Sequence, residues 1–330
     1  MANNTLQALR VSDPVITQVV HGYAQRQSVA PFVAPLVPVN TRSGKIVKFT
    51  KDQFAVINTE RSPGDPIKQV SVFYTSENFT VNQHAAAGKV TEEEYEEAQN
   101  GEAKVDLRSA AALRATQAVM QSWEKEVITT VTNPANFEAD CTVGLAGTDQ
   151  FDNPACDPEI LVAEAKEAVR AQVGVYPNSA ILSPKAYNAL KHLEIFRDRI
   201  KYTSSGSVNL DMLAQWLELP RGIKIADRVY LDTDGTLKDF MNDSLLLFYQ
   251  PEGLEIGSGL LPVNGSDRAV PSFAYTYGLK GYPIATPERY DENTRSFITD
   301  VIAEQSLQLT GLGVTGKVGA GFLFTNVLSA

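Results

Sequence analysis

The sequence predicts an α+β fold in which one long helix separates a β-rich excursion from an α/β lobe. Three observations carry that expectation: proline-broken apolar residues and strand-forming runs before residue 90, a helical repeat lasting to Val131, and capped helices alternating with short apolar strands after Asp157. The chain has 330 residues, 43% of them hydrophobic, enough for a sizeable core and for two or three domains.

From Ser28 to Asn40, Pro31, Pro35 and Pro38 stand among apolar residues, which predicts an extended arm that lacks backbone donors and reaches outward. Gly44 to Phe49 and Ile67 to Val81 carry strand formers, with Val70, Val72 and Tyr74 alternating, and the turn-rich Ser62 to Pro66 lies between them. This reads as a long two-stranded excursion, which is marginal alone in water and needs a neighbour to pack on. Thr91-Glu92-Glu93-Glu94 is a capping box that opens a short acidic helix, broken at Asn100-Gly101. Val105, Ala112, Thr116, Val119, Trp123, Val127 and Val131 then recur at helical spacing until Asn133-Pro134. A helix over Glu102 to Val131 would span about 45 Å and suit a structural strut. An ordinary core helix with frayed ends is the plainer alternative.

Asp157-Pro158-Glu159 supplies a cap, a first-turn proline and an acid, so a helix is expected from there to Gly174. Asn178 to Leu182 reads as a buried strand, Ser183-Pro184 opens a helix through Leu193, and Asn209 to Leu219 is helical. Ile223 to Tyr230 and Ser244 to Gln250 are read as extended, and strands return at Ser272 to Leu279, Ser296 to Ile302 and Gly321 to Leu328.

Composition narrows the function. Lys plus Arg total 29 against 39 Asp plus Glu, a net charge of -10, the wrong sign for tight nucleic-acid binding. The start of the sequence carries no secretory pattern, and no apolar run has the length of a membrane span, so a soluble, cytoplasmically made product is expected. Cys141 and Cys156 have no Cys-x-x-Cys spacing, and two reduced thiols are preferred over a disulfide. Gly311-Leu312-Gly313-Val314-Thr315-Gly316-Lys317 matches a phosphate-binding glycine pattern, but Val318 replaces the Ser or Thr that would hold magnesium. The glycines after Lys317 oppose the required helix, so a turn is the preferred reading. His21, His84 and His192 lie far apart, and Asp149, Asp152 and Asp157 lack the order of a calcium loop. Catalytic residues, cofactors and metal ligands are therefore assigned to none.

The order of elements, with particular strings, resembles the major capsid proteins of tailed phages with the Hong Kong 97-type fold. Ala34 to Val39 resembles that family's N-terminal arm, Glu60 to Pro66 the turn of its E-loop hairpin, Ala87-Gly88-Lys89-Val90 the lead into its spine helix, and Thr132 to Phe137 the exit. Tyr176 to Leu190, then Asp198 to Thr203, resemble the core of the axial domain, and Gly321 to Val327 the closing strand. The resemblance implies an arm at 1–39, the E-loop and its flanks at 40–88, a peripheral domain with the spine helix at 89–137, an axial domain at 138–280 and returning peripheral strands at 281–330. It further implies self-assembly as pentamers and hexamers into an icosahedral shell. The partners it implies are a separate scaffolding protein, a portal, decoration proteins and double-stranded DNA touched weakly and without sequence specificity. The virion is the implied location, with assembly in the host cytoplasm. Lys51, Lys68 and Asn326 match no crosslinking string, so no covalent crosslink is assigned. Lys45 and Arg61, which flank the excursion, are the expected intersubunit contacts. The rival readings are an encapsulin shell of the same fold and a nucleotide-dependent enzyme using Gly311 to Lys317.

Overall fold

A computed structural model describes residues 28–49, 55–64, 67, 69, 74–100, 106–201, 207–251, 272–311 and 317–329. Val70, Val72, Lys51, Lys68, His21, the start of the expected long helix at 102–105 and Leu312 to Gly316 lie outside them.

The arm is not extended throughout. Ala30–Val33 forms a one-turn helix, α1, because Pro31 falls in the first turn, where a missing N–H costs nothing. Strand β1, Leu36–Val39, follows and pairs in parallel with β11, Ala274–Leu279. Pro38 is tolerated there because β1 is an edge strand. Val29, Ala30, Val33 and Ala34 are buried, so this part of the arm folds back onto its own subunit.

The excursion forms as expected: β2, Ser43–Phe49, pairs antiparallel with β3, Tyr74–Thr80. Strand β4, Asn82–Thr91, runs on from it as a separate element. Next come the acidic helix α2, Glu92–Asn100, and the spine helix α3, Leu107–Val131. Thr91 and Glu94 make the reciprocal capping box. The spine helix has 25 residues, about 37 Å. It starts later than the apolar repeat suggested, because the Asp106 carboxylate accepts the Ser109 N–H at 3.2 Å and caps the helix there.

Strand β14, Ser296–Leu309, is the backbone of a six-stranded sheet. It receives β4, β11, and the short strands β12 (Ile284–Ala285) and β13 (Arg289–Asp291). The spine helix lies against β4. At Gly88 the two backbones are so close that a Cβ would stand 2.4 Å from the Ala111 carbonyl oxygen. Ala86 and Gly88 are thus small because the helix lies on their face of the strand, while Ala85 and Ala87 are exposed on the other.

The second sheet has five strands in the order β5-β15-β10-β6-β7: Thr142–Gly144, Gly321–Thr325, Ser244–Phe248, Ser179–Leu182 and Ile223–Ile225. Helices α4 (Pro158–Val173), α5 (Pro184–His192), α6 (Glu194–Ile200) and α7 (Leu210–Trp216) complete this lobe. Asp157, Ser183 and Asn209 cap three of them, and Gly174, at φ 78°, ends α4. One apolar core, containing Leu182, Leu190, Phe196 and Leu247, lies on the side of this sheet that the helices cover. Another joins the arm and the spine residues Trp123, Val127 and Val131 to Ile181, Leu246 and Leu323 of the sheet.

Sheet membership does not change over at a single point in the chain. Strand β11 belongs to the six-stranded sheet although it precedes residue 281, and β15 belongs to the five-stranded sheet although it follows it. Strand β15, with Phe322, Leu323 and Phe324 buried, lies between β10 and β5. Likewise Ile223 to Tyr230 is not one strand. It breaks after Ile225, and Val229–Leu231 (β8) pairs with Leu237–Asp239 (β9) as a separate ribbon.

Candidate assembly interface

What this chain leaves unsatisfied on its own surface defines its candidate site. The root of the excursion is firmly seated: Ile46, Phe79 and Val81 are buried, and the Phe79 ring stacks on Tyr277 at 5.1 Å. Arg42, in the turn before β2, donates from Nε and Nη2 to both carboxylate oxygens of Glu304 on β14, at 2.7 and 2.8 Å. That bidentate pair holds the Glu304 carboxyl below the usual carboxylate range, the hydrogen bonds from Arg42 being the main cause. Beyond the root the character changes. Residues 55–64 are all exposed, Val56 completely, and Ile67 keeps 75% of its surface. Apolar side chains exposed to this degree point to a surface completed by another molecule.

Lys45 and Arg61 are both exposed on this excursion, Lys45 on β2 opposite Asn78 and Arg61 beside the turn at Pro63-Gly64. Lys45 thus lies on a paired strand and Arg61 in the exposed stretch 55–64. A second patch went unnoticed in the sequence: Leu231 and Leu237 stand directly opposite each other on β8 and β9, 67% and 70% exposed. The signal was there, since an Asp-rich turn at 232–235 separates two short apolar runs.

Glu124 is the most informative residue that sequence reasoning missed. Its side chain is 1% exposed in the middle of the spine helix and pairs with the Arg228 guanidinium. It also accepts the Val29 N–H at 2.9 Å. One carboxylate thus joins the arm, the spine and the loop before β8.

The residues weighed for chemistry have structural employment. Gly311 accepts the N–H groups of Gly319 and Ala320, and a Cβ on it would stand 2.2 Å from the Ala320 Cβ. After Lys317 the chain forms a bridge at Val318 and then β15, so no helix N-terminus faces a phosphate there. Asp157 caps α4, and Asp152 accepts the Ser329 N–H at 3.1 Å. The Asp149 carbonyl accepts the Cys156 thiol at 3.2 Å. His84 lies edge-on to Trp123 at 5.8 Å, with Nε2 3.8 Å from Glu126, and His192 ends α5. Both cysteines are free and buried, and burial pushes the Cys141 thiol up to about 12 and the Cys156 thiol up to about 11.

Among solved structures, a phage-related protein from Bordetella bronchiseptica is similar over 96% of this chain and 98% of that one, at 28% identity and a TM-score of 0.70. A structure from Mycobacterium phage Adephagia matches at a TM-score of 0.55 over 100% of this chain and 99% of that one, at 10% identity. The fold is the Hong Kong 97-type capsid fold. In its terms the excursion is the E-loop, the six-stranded sheet with the spine helix is the peripheral layer, and the five-stranded sheet is the axial layer. Among curated proteins, the major capsid protein of Burkholderia phage BcepMu is 28% identical over 282 residues, 84% of this chain and 87% of that protein. The chain is a homologue of phage major capsid proteins. No family model matches it.

Proposed function

We propose that this chain is the structural subunit of an icosahedral phage head, assembling as pentamers and hexamers into a shell that encloses double-stranded DNA. The observation that carries the reading is the E-loop, rooted by Arg42 and Glu304 yet bearing exposed Val56 and Ile67. Such a ribbon gains stability by burying those side chains on the peripheral layer of a neighbouring copy. Lys45 and Arg61 meet acids of that neighbour, which the surplus of 39 acids over 29 bases makes abundant. The same surplus suits a container wall that holds DNA without binding it tightly. Domain boundaries follow the sheets: 272–311 with the peripheral layer and 317–329 with the axial one. A separate scaffolding protein, a portal and decoration proteins are the partners, assembly takes place in the host cytoplasm, and the chain has no catalytic role.

Negative-stain electron microscopy of the purified chain, with and without a co-expressed scaffolding protein, tests this. Closed icosahedral shells, or rings of five and six, are expected. A uniform monomer or dimer under every condition would remove the reading, and shells holding an enzyme cargo would favour an encapsulin.

A further inference from the structure

Among the described residues three side-chain atoms are buried without a hydrogen-bond partner: Oε1 of Gln172, Oε1 of Gln250 and Nε2 of His84. A buried polar atom left unpaired is uncommon and calls for a reason. The two amides cannot take up a proton near neutral pH, and an imidazole can.

His84 stands on β4 opposite Ala303 of β14, and its side chain, 19% exposed, turns to the spine helix. There Trp123 meets the ring edge-on, and Glu126, three residues further on, brings Oε2 to 3.8 Å from Nε2. That gap is beyond hydrogen-bond range, and a move of about 1 Å by the half-exposed Glu126 side chain closes it. The other charges nearby are turned elsewhere. On the spine helix, Glu124 holds Arg228 and Val29, and Lys125 lies over the Tyr230 ring. On β14, Glu304 is held by Arg42 on the opposite face of the sheet from Ala303. On β4 itself the flanking residues are Gln83, which reaches Glu304, and Ala85.

We propose that His84 and Glu126 form a proton-operated catch between the strand that carries the E-loop and the spine helix. When the imidazole takes a proton from solvent, Nε2 donates it in a hydrogen bond to the Glu126 carboxylate; when the proton leaves, the contact opens. The catch adds stability below the ordinary imidazole value of about 6.5, and that stability is lost as pH rises through the folded-state value. Because β4 runs on from β3, the catch sets how firmly the root of the hairpin lies on its own helix. It works within one subunit, so its failure is separate from failure of the shell reading.

Hydrogen exchange of the unassembled full chain, corrected for the intrinsic pH dependence of exchange, reads the catch at residues 82–88. Protection there is expected to be about threefold greater at about pH 6 than at about pH 8. In Glu126→Gln, which keeps the size and helix preference of the side chain, the difference should fall below about 1.5-fold, and His84→Gln should lose it too. Nitrogen NMR of labelled imidazoles reports the proton itself, with only three histidines to resolve. At about pH 6.5 the charged-to-neutral ratio of His84 should be about threefold lower in Glu126→Gln than in the parent. An equal ratio in the two chains, protection in the parent that does not change with pH, or a pH difference that survives in Glu126→Gln overturns the proposal.

Discussion

Glu124 allows the sharpest test of how this subunit is held together. Glu124→Ala removes a buried partner of Arg228, whose side chain is 10% exposed, and the acceptor of the Val29 N–H. Breaking a buried ion pair from one side costs about 3–5 kcal/mol, because the remaining charge keeps its desolvation penalty and loses its compensation. Since domains are stable by only about 5–15 kcal/mol, that loss should be plain in urea denaturation of the unassembled chain at pH 7. Glu124→Gln keeps an oxygen for Val29 and loses only the charge, so it should cost less. The double variant Glu124→Leu, Arg228→Met removes both charges together and should recover most of the loss, within about 1–2 kcal/mol of the parent. If Glu124→Ala shifts stability by less than about 1 kcal/mol, the carboxylate is not the buried junction described above.

Four further outcomes are expected. Gly88→Ala should cost about 2–3 kcal/mol by denaturant midpoint, because its Cβ would meet the Ala111 carbonyl backbone at 2.4 Å, while Ala87→Ser should be nearly silent. The folded-state pKa of Glu304 is depressed by Arg42, so the pair contributes above the unfolded carboxylate value of about 4.3 and is lost as pH falls through the lower folded value. Amide exchange at Val81, whose N–H reaches the Arg42 carbonyl, should therefore loosen only below about pH 4, and Arg42→Met should abolish the pH step. Iodoacetamide at pH 8 should label neither cysteine until denaturant is added, and labelling of Cys141 or Cys156 at the rate of a free thiol would refute their burial. Val56→Asp with Ile67→Asp should block assembly and leave subunit stability within about 0.5 kcal/mol of the parent.

Much of this fold was legible where a short polar signal fixes an end. Asp157-Pro158 and Ser183-Pro184 place their helices to the residue, and the Thr91 capping box does the same, because caps act locally. Strand β4 was not legible: Asn82 to Gly88 has little strand propensity and is extended only because β14 pairs along its whole length. For the same reason β14 runs on to Leu309, past the expected Ile302. Three prolines hid the helical turn at Ala30–Val33, since the first-turn exemption of Pro31 counted for less than the extended pattern around it. Glu124 was readable in principle. It stands three, four and seven residues before Val127, Ile128 and Val131, on the buried face of the helix, and a lone acid there is a demand for a partner. That the partners would be Arg228 and Val29 depends on how distant segments meet. The paired leucines at 231 and 237 were hidden similarly, because the expected strand ended at Tyr230 and no element was read at either leucine.

The pairing of β4 with β14 has a mechanical meaning. Strand β4 continues directly from the E-loop, and it lies antiparallel to β14 from Asn82 opposite Gln305 to Thr91 opposite Ser296. A pull on the hairpin along its own length therefore loads this ladder in shear, so its hydrogen bonds share the tension and must yield together. A pull perpendicular to the sheet would peel them one pair at a time. The strand that would bear a pull along the hairpin, β14, is the longest among the described residues.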